Sequence, residues 1–446
     1  MTEQKVEFDP SAAHHAKPRL RQIEGFPFQQ EEKVLLGLRD PHQVSREMVF
    51  VAPQAQHILP HMNGANSLDD IAEAVGHGLT SDMLKPFVAQ LDQACLLFGP
   101  RFDALVRDMR AEFDASSSLP SGASADMADA LTAQKLGEAA TDEAKAQHGA
   151  ANLIEAMDKW FEEAGKMIDL PIIEQLPTAI VAPHLDYFRG WINYAAMYAP
   201  LRGLPRPDRV VILGTNHFGF ATGVCGCDKG LETPLGACDF DGDFAALVNK
   251  HLGSENATKL VEHRYDHDRE HSIELQLPWI QHVFGADESG AFPRVYAALI
   301  HDPTRNAGQS YDGKGLDLDT FVDALRAALA EAPGRTLVVS SADLSHVGPM
   351  FGDQINLVEE SEERKQFLKN MEETDRRLTT LLRTGKVDEM IASLAWEQNA
   401  TRWCSAGNLS AMMRATGAED LKIVNWVAAR DSQGAGIVSS IAAYAP

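Results

Sequence analysis

Four short segments each carry metal-competent side chains just past an apolar, strand-like run. They read AIVAPHLDY, with His184 and Asp186; VVILGTNHFG, with His217; LVVSSADLSHVG, with Asp343 and His346; and RWCSAGNLS, with Cys404. Loops at strand ends can aim side chains from several strands at one point. Neutral imidazole ligates iron, copper, zinc and nickel. One such histidine usually reads as a hydrogen-bonded loop residue; two in equivalent places favour ligation. Two imidazoles, a thiolate or carboxylate and a spare histidine therefore read as a divalent transition-metal site with a nearby base.

Asp343 and His346 lie three apart, and on a helical turn that spacing faces one way. The pair is expected to act together, the carboxylate orienting the imidazole as a general base. The alternative makes Asp343 a helix N-cap and His346 a surface residue. Cys404 precedes an expected helix over 408–416, where a thiol is depressed in pKa; taken alone it reads as an inert buried cysteine. His263, His267 and His271 recur every four residues, so a helix would stack them, although a solvated helix face explains most of that run. Glu270, His271 and Glu274, just before Leu275-Gln276-Leu277-Pro278-Trp279, look more site-like, as supports for ligands or substrate. Cys225 and Cys227 would share one strand face, but no second Cys/His pair follows at finger spacing, and structural thiols are expected.

The elements that must position these residues follow from hydrophobic patterning. Strands are expected at 179–183, 209–214, 294–300, 336–341, 422–427 and 436–444, separated by helical stretches, which is the pattern of an α/β domain over 151–446. Residues 1–25 are polar and aperiodic and are expected to be a disordered arm. Residues 26–112 read as a small α+β unit: a strand at 48–51, helices at 55–61, from Ser67 to Ala74 and at 81–93, and a strand at 96–98. Residues 113–150, rich in Ala, Ser and Gly, read as a linker.

The chain has 446 residues, 44% hydrophobic and 23% charged, with a formal charge of −24. That balance argues against nucleic acid or anionic membrane as the main partner, since both need a basic face. No apolar run approaches the ~20 residues of a membrane span. Five cysteines, few and odd in number, suit a reducing compartment. With no secretory pattern after Met1, a cytoplasmic location is expected.

Taken in order, APH, ILGxxH, EHSIELQLPW, SSADLSH and the late cysteine resemble the Memo family, component B of the AmmeMemoRadiSam system, which is related to class III extradiol dioxygenases of the LigB type. The resemblance spans about 175–446. It implies a Memo/LigB-like α/β domain with a central mixed sheet between helices, and a metal held by His184, His217 and Cys404. Asp343 and His346 would stand beside it. In the dioxygenase relatives two histidines and a glutamate hold Fe(II) and a further histidine is the base; here the glutamate position resembles Cys404. A soft thiolate shifts preference toward copper, zinc or iron–thiolate chemistry. Leu185-Asp186 stand where the family has small residues, so Asp186 is a candidate extra oxygen ligand. The order of elements over 26–112 is similar to the PqqD-like winged-helix domains, with protein or peptide binding preferred to DNA because Lys85 is the one cation between Ser81 and Gln93.

Three functions follow. The first is a mononuclear non-haem oxidoreductase, with Fe(II) or copper as metal and zinc as a further candidate. It would act on a small aromatic or peptide-borne phenolic group, with His346 as base and Asp343 or Glu274 positioning it. The second is a metal-binding accessory or redox component whose N-terminal domain holds a peptide or a radical-SAM partner. The third, a metal hydrolase using His346 or Glu270, lacks H-E-x-x-H and ranks last.

Overall fold

The computed structural model describes residues 7–30 and 33–446, which fall into two compact units, Met1–Ser116 and Ser117–Pro446. The N-terminal unit contains α1 (Ala13–Ala16), β1 (Glu24–Gln30), β2 (Lys33–Arg39), β3 (Val49–Val51), α2 (Leu68–Val75), α3 (Ser81–Gln93) and α4 (Pro100–Ala115). Its three strands form one antiparallel sheet over a core of Leu38, Ile71, Leu84, Val88 and Leu91. At the start of α2, the Ser67 side chain accepts from Asp70 N–H while the Asp70 carboxylate accepts from Ser67 N–H, satisfying backbone donors at the helix end.

Three expectations change here. The described part of the polar arm is ordered. His15 is buried, receives the Asp9 N–H at Nδ1 (2.9 Å) and lies 3.3 Å from Asp92 through Nε2; Arg21 pairs with Asp40 at 2.9 Å. Buried partners later in sequence hold this segment, and a local pattern cannot reveal them; residues 1–6 lie outside the described residues. The helix expected at 55–61 is two 3₁₀ turns, Pro53–His57 and Leu59–His61, with a proline in the first two positions of each. The antiparallel pairing of β1 with β2 was not anticipated, because β1 is almost wholly exposed and has a proline at its centre. At 96–98, only Leu97 bridges, to Leu20.

The C-terminal unit begins with β4 (Ser118–Leu119), α5 (Ala123–Leu136) and α6 (Asp142–Met167). Residues 113–150 are therefore not a linker. Alanine is the strongest helix former, so a composition that looks flexible becomes helical once one face is buried. Then follow β5 (Ala179–Ala182), α7 (Tyr187–Tyr198), β6 (Arg209–Thr215), β7 (Cys225–Gly226), β8 (Gly230–Thr233), β9 (Gly236–Cys238), α8 (Gly242–Val261), α9 (His271–Glu274), α10 (Leu277–Phe284), β10 (Arg294–Ile300) and α11 (Leu318–Glu331). The chain closes with β11 (Thr336–Ser341), β12 (Asp343–Val347), α12 (Glu362–Arg383), α13 (Val387–Trp396), α14 (Ala406–Thr416), β13 (Lys422–Arg430) and β14 (Ile437–Ala445).

The main sheet runs β12-β14-β5-β11-β6-β10-β7, with β13 on the other edge of β14. β5, β11, β6 and β10 are parallel, while β14, β12, β13 and β7 pair antiparallel. β5 and β6 are buried along their whole length, as strands covered on both faces must be. Helices α8, α11, α13 and α14 pack together against the sheet. Another group, α6, α7 and α10, centres on buried Trp279, whose ring stacks 5.2 Å from Tyr194 and 5.8 Å from Trp160. Among the described residues no helix is long and apolar enough to cross a membrane.

Candidate metal centre

The parallel strands all end at one edge of the sheet, and His184 follows β5 there. Its Nδ1–H donates to the Ser341 carbonyl at 3.0 Å and its backbone N–H to Asp343 Oδ1 at 3.2 Å. A neutral ring donating through Nδ1 leaves the Nε2 lone pair free. Burial, with the nearby rings of His217 and His271, pushes the His184 pKa well below its usual range, so the ring is neutral.

His217 follows β6 after a tight turn. Its backbone N–H and Nδ1 both donate to Glu270, at 2.9 and 3.0 Å. The buried Glu270 carboxylate also accepts from Ser272 N–H at 2.9 Å and so caps α9. Burial works against charge at both groups. Even so, the His217 charge and its hydrogen bonds hold Glu270 well below the carboxylate range, and the Glu270 carboxylate and Cys404 sulfur raise His217. In the metal-free protein the two form an ion pair, and a metal would have to replace the Nε2 proton of the partly exposed His217.

His271 opens α9 and completes a set of three imidazoles. One ligand nitrogen from each of His184, His217 and His271 lies within 4.8 Å of the others. Gly214 in β6 allows this approach: a Cβ there would stand 2.5 Å from Ser272 Oγ and 2.6 Å from Ile273 Cδ1. Cys404, two residues before α14, puts its Sγ 3.3 Å from His184 Nε2. The thiol sequence reading placed at the site is thus beside the first imidazole, while His271, read only as a support, stands among the candidate ligands. Its signal was the dipeptide Glu270-His271 at the N-terminus of a short helix.

Asp343 and His346 reach the site by a route that the sequence reading missed. They lie on a strand, β12, not on a helical turn, and in a regular strand residues three apart face opposite sides. Asp343 pairs with Ser440 and His346 with Val438, so β12 fits one extra residue between them. This bulge returns both side chains to one face, and both line the same cavity. They do not form the expected couple. Asp343 bonds to His184 N–H and lies 3.6 Å from His184 Nε2, whereas His346 Nδ1 donates to the Leu344 carbonyl at 3.0 Å. Burial raises Asp343 to about 7 and lowers His346 to about 4.

Glu274 is not positioned for catalysis. Its carboxylate accepts from Ser121 Oγ, from Ser124 Oγ and from the N–H groups of Gly122, Ala123 and Ser124 at 2.9–3.0 Å. It clamps the start of α5, and a glutamate before an apolar run gives no sign of such a distant partner. Asp186 lines the cavity but caps α7 and pairs with Arg189. The histidines at four-residue spacing do not stack, because Arg264–Arg269 is a 3₁₀ turn; nor is that run a solvated face, since Asp266 and His267 are buried. Cys225 and Cys227 are buried free thiols. Among the described residues one further cluster, His14, His15 and Asp92, has ligand-like spacing. There His15 Nδ1 already accepts a backbone N–H, leaving Nε2 protonated toward Asp92.

A cavity of about 360 Å³ opens over the imidazoles, within the range of small-molecule sites. His184, His217, His271, Asp343 and His346 line its polar wall; Ala123 and Met127 of α5, with Met350, Phe351 and Val438, line an apolar one. The donor set fits a borderline transition metal: imidazoles whose tautomers are fixed by carbonyl and carboxylate partners, with a thiol adjacent.

Fold and site together define an α/β protein with a histidine-rich centre at the carboxyl ends of parallel strands. A family model described as Memo-like protein matches residues 146–446, and the chain belongs to the Memo family. MEMO1 family proteins of Pyrobaculum arsenaticum, Methanopyrus kandleri and Thermococcus onnurineus are similar to it at 29%, 33% and 30% identity. The alignments cover 41%, 41% and 46% of this chain and 58%, 58% and 63% of the relatives. The chain thus spans about three fifths of the length of the relatives it matches.

Proposed function

We propose that the C-terminal unit binds one transition-metal ion, iron(II) or copper with zinc as a further candidate. His184 and His217 would hold it, with Cys404 or His271 completing the set. On this reading the protein is an extradiol-dioxygenase-like oxidoreductase for a small aromatic or peptide-borne phenolic group. The observation that carries the reading is the convergence of one ligand nitrogen each from His184, His217 and His271 to within 4.8 Å on the cavity wall, with Cys404 Sγ 3.3 Å from His184 Nε2.

Bound there, the metal would supply redox and Lewis-acid chemistry to a phenolic oxygen. The chain's own groups do the rest. Asp343, held near 7, is matched to proton transfer at neutral pH. His346 is neutral, and its Nδ1–H is engaged by the Leu344 carbonyl, so the remaining nitrogen can accept a hydrogen bond from a phenolic hydroxyl and orient it. Phe351, Met350 and Met127 present apolar surface to a ring and exclude water. Oxygen uptake by the iron(II)-loaded protein with a panel of catechols tests this. Uptake that disappears in His184→Ala is expected; retained metal without uptake would reject ring cleavage.

The alternative role is a metal-binding accessory or redox component. It is supported by the separate N-terminal unit, a three-stranded antiparallel sheet and helices with a core of their own. That unit would engage a peptide or a radical-SAM partner, and the isolated chain would bind metal without turnover. Loss of partner association on deleting residues 1–116 is expected; undiminished association would remove this role.

A further inference from the structure

A buried carboxylate outside the cavity ties the loop that carries Cys404 to the strand that carries His346. Asp375 of α12 is fully buried and receives four side-chain donors. Oδ1 accepts from Ser345 Oγ at 2.6 Å and Trp403 Nε1 at 2.7 Å. Oδ2 accepts from Ser439 Oγ at 2.5 Å and Trp426 Nε1 at 3.1 Å. Ser345 immediately precedes His346, and Trp403 immediately precedes Cys404. The same two stretches are joined by backbone: His346 N–H donates to the Thr401 carbonyl at 2.7 Å, and Arg402 Nε donates to the His346 carbonyl at 3.0 Å.

The loop before Cys404 needs such support. Gln398, Asn399 and Arg402 all have positive φ, at 53°, 47° and 58°, a region that costs non-glycine residues energy unless surrounding structure fixes them. Asn399 bonds Trp403 twice, through Oδ1 to its N–H and through Nδ2 to its carbonyl. The Trp403 indole is buried, and its Nε1–H is shared between Asp375 Oδ1 at 2.7 Å and Ser345 Oγ at 3.2 Å. We infer that Asp375 is a positioning residue of the metal centre: by accepting from Trp403 and Ser345 on one oxygen, it sets where the Cys404 sulfur and the His346 ring stand relative to His184. The inference rests on the reading of Cys404 as a metal donor.

Asp375→Asn keeps the shape but must turn its NH2 group toward at least one donor, since an amide offers one acceptor atom where the carboxylate offers two. Two readouts separate positioning from mere stability. In metal-free protein below its unfolding transition, iodoacetamide alkylation of Cys404 is followed by mass spectrometry; the other four cysteines are buried. In protein loaded with Co(II), the thiolate-to-cobalt charge-transfer absorption is recorded alongside cobalt stoichiometry. Asp375→Asn is expected to change the alkylation rate severalfold, to lose the charge-transfer band and to weaken cobalt binding by about 10-fold or more, as lost supporting hydrogen bonds do at metal sites. Asp241→Asn serves as a control, because Asp241 is equally buried and paired with Arg209 at 2.8 Å at the opposite end of β6; it should lower Tm and leave both readouts unchanged.

A folded Asp375→Asn protein with wild-type alkylation and a wild-type cobalt spectrum overturns the inference. If that variant does not fold, Trp403→Phe removes one donor and keeps the ring, and wild-type alkylation of Cys404 in it overturns the inference equally. Absence of a thiolate band in the wild-type protein would instead reject Cys404 as a donor, while the alkylation comparison still decides whether Asp375 positions it.

Discussion

Glu270 fixes two imidazoles with one buried carboxylate. It accepts from both nitrogens that orient His217, and it caps the helix that begins with His271. Asp343 has a different character: burial raises it to about 7 from the ordinary 3.8, so the folded metal-free protein binds a proton there that the unfolded chain releases. A raised folded pKa means that stability is fully present below about pH 4 and is lost as pH rises toward 7. Asp343→Asn should abolish that dependence, which amounts to about 2–4 kcal/mol across the window; denaturant unfolding of metal-free protein at pH 5 and pH 7 measures it. Equal slopes for both proteins would deny Asp343 its buried, protonated state. At this scale His184 and His217 were legible because each follows an apolar strand, and Cys404 because it lies just before a helix. The Asp343–His346 relation was not, since a one-residue bulge in β12 depends on its partner strand β14, and spacing alone suggested a helix.

The same division holds for the elements. The strands of the sheet core were legible to within one or two residues at most ends, because fully buried parallel strands are continuous apolar runs. Helix α5 was read as linker, since its alanines carry no clear polar and apolar faces. Its position over the cavity depends on Glu274, which accepts five donors from Ser121–Ser124. Glu274→Ala should therefore lower stability by about 2–4 kcal/mol, as expected for donors left without a buried partner. It should also open residues 117–136 to limited proteolysis, while metal affinity stays within about twofold because Glu274 does not line the cavity. A large loss of metal affinity with unchanged proteolysis would restore Glu274 to the site.

Taken whole, the chain is two units, each with its own core, and the family match begins at residue 146, inside α6. The residues needed for the cavity begin earlier, at Ala123. A chain of residues 117–446 should accordingly fold cooperatively and bind metal like the full protein, whereas one of residues 146–446 loses α5 and the start of α6 and should unfold at least several degrees lower. Thermal scans of both fragments decide this. The central claim is the metal itself. Elemental analysis of protein purified without added metal should give close to one iron or copper per wild-type chain, almost none in His184→Ala and a reduced content in Cys404→Ser. Equal metal content in all three proteins would contradict the proposed centre.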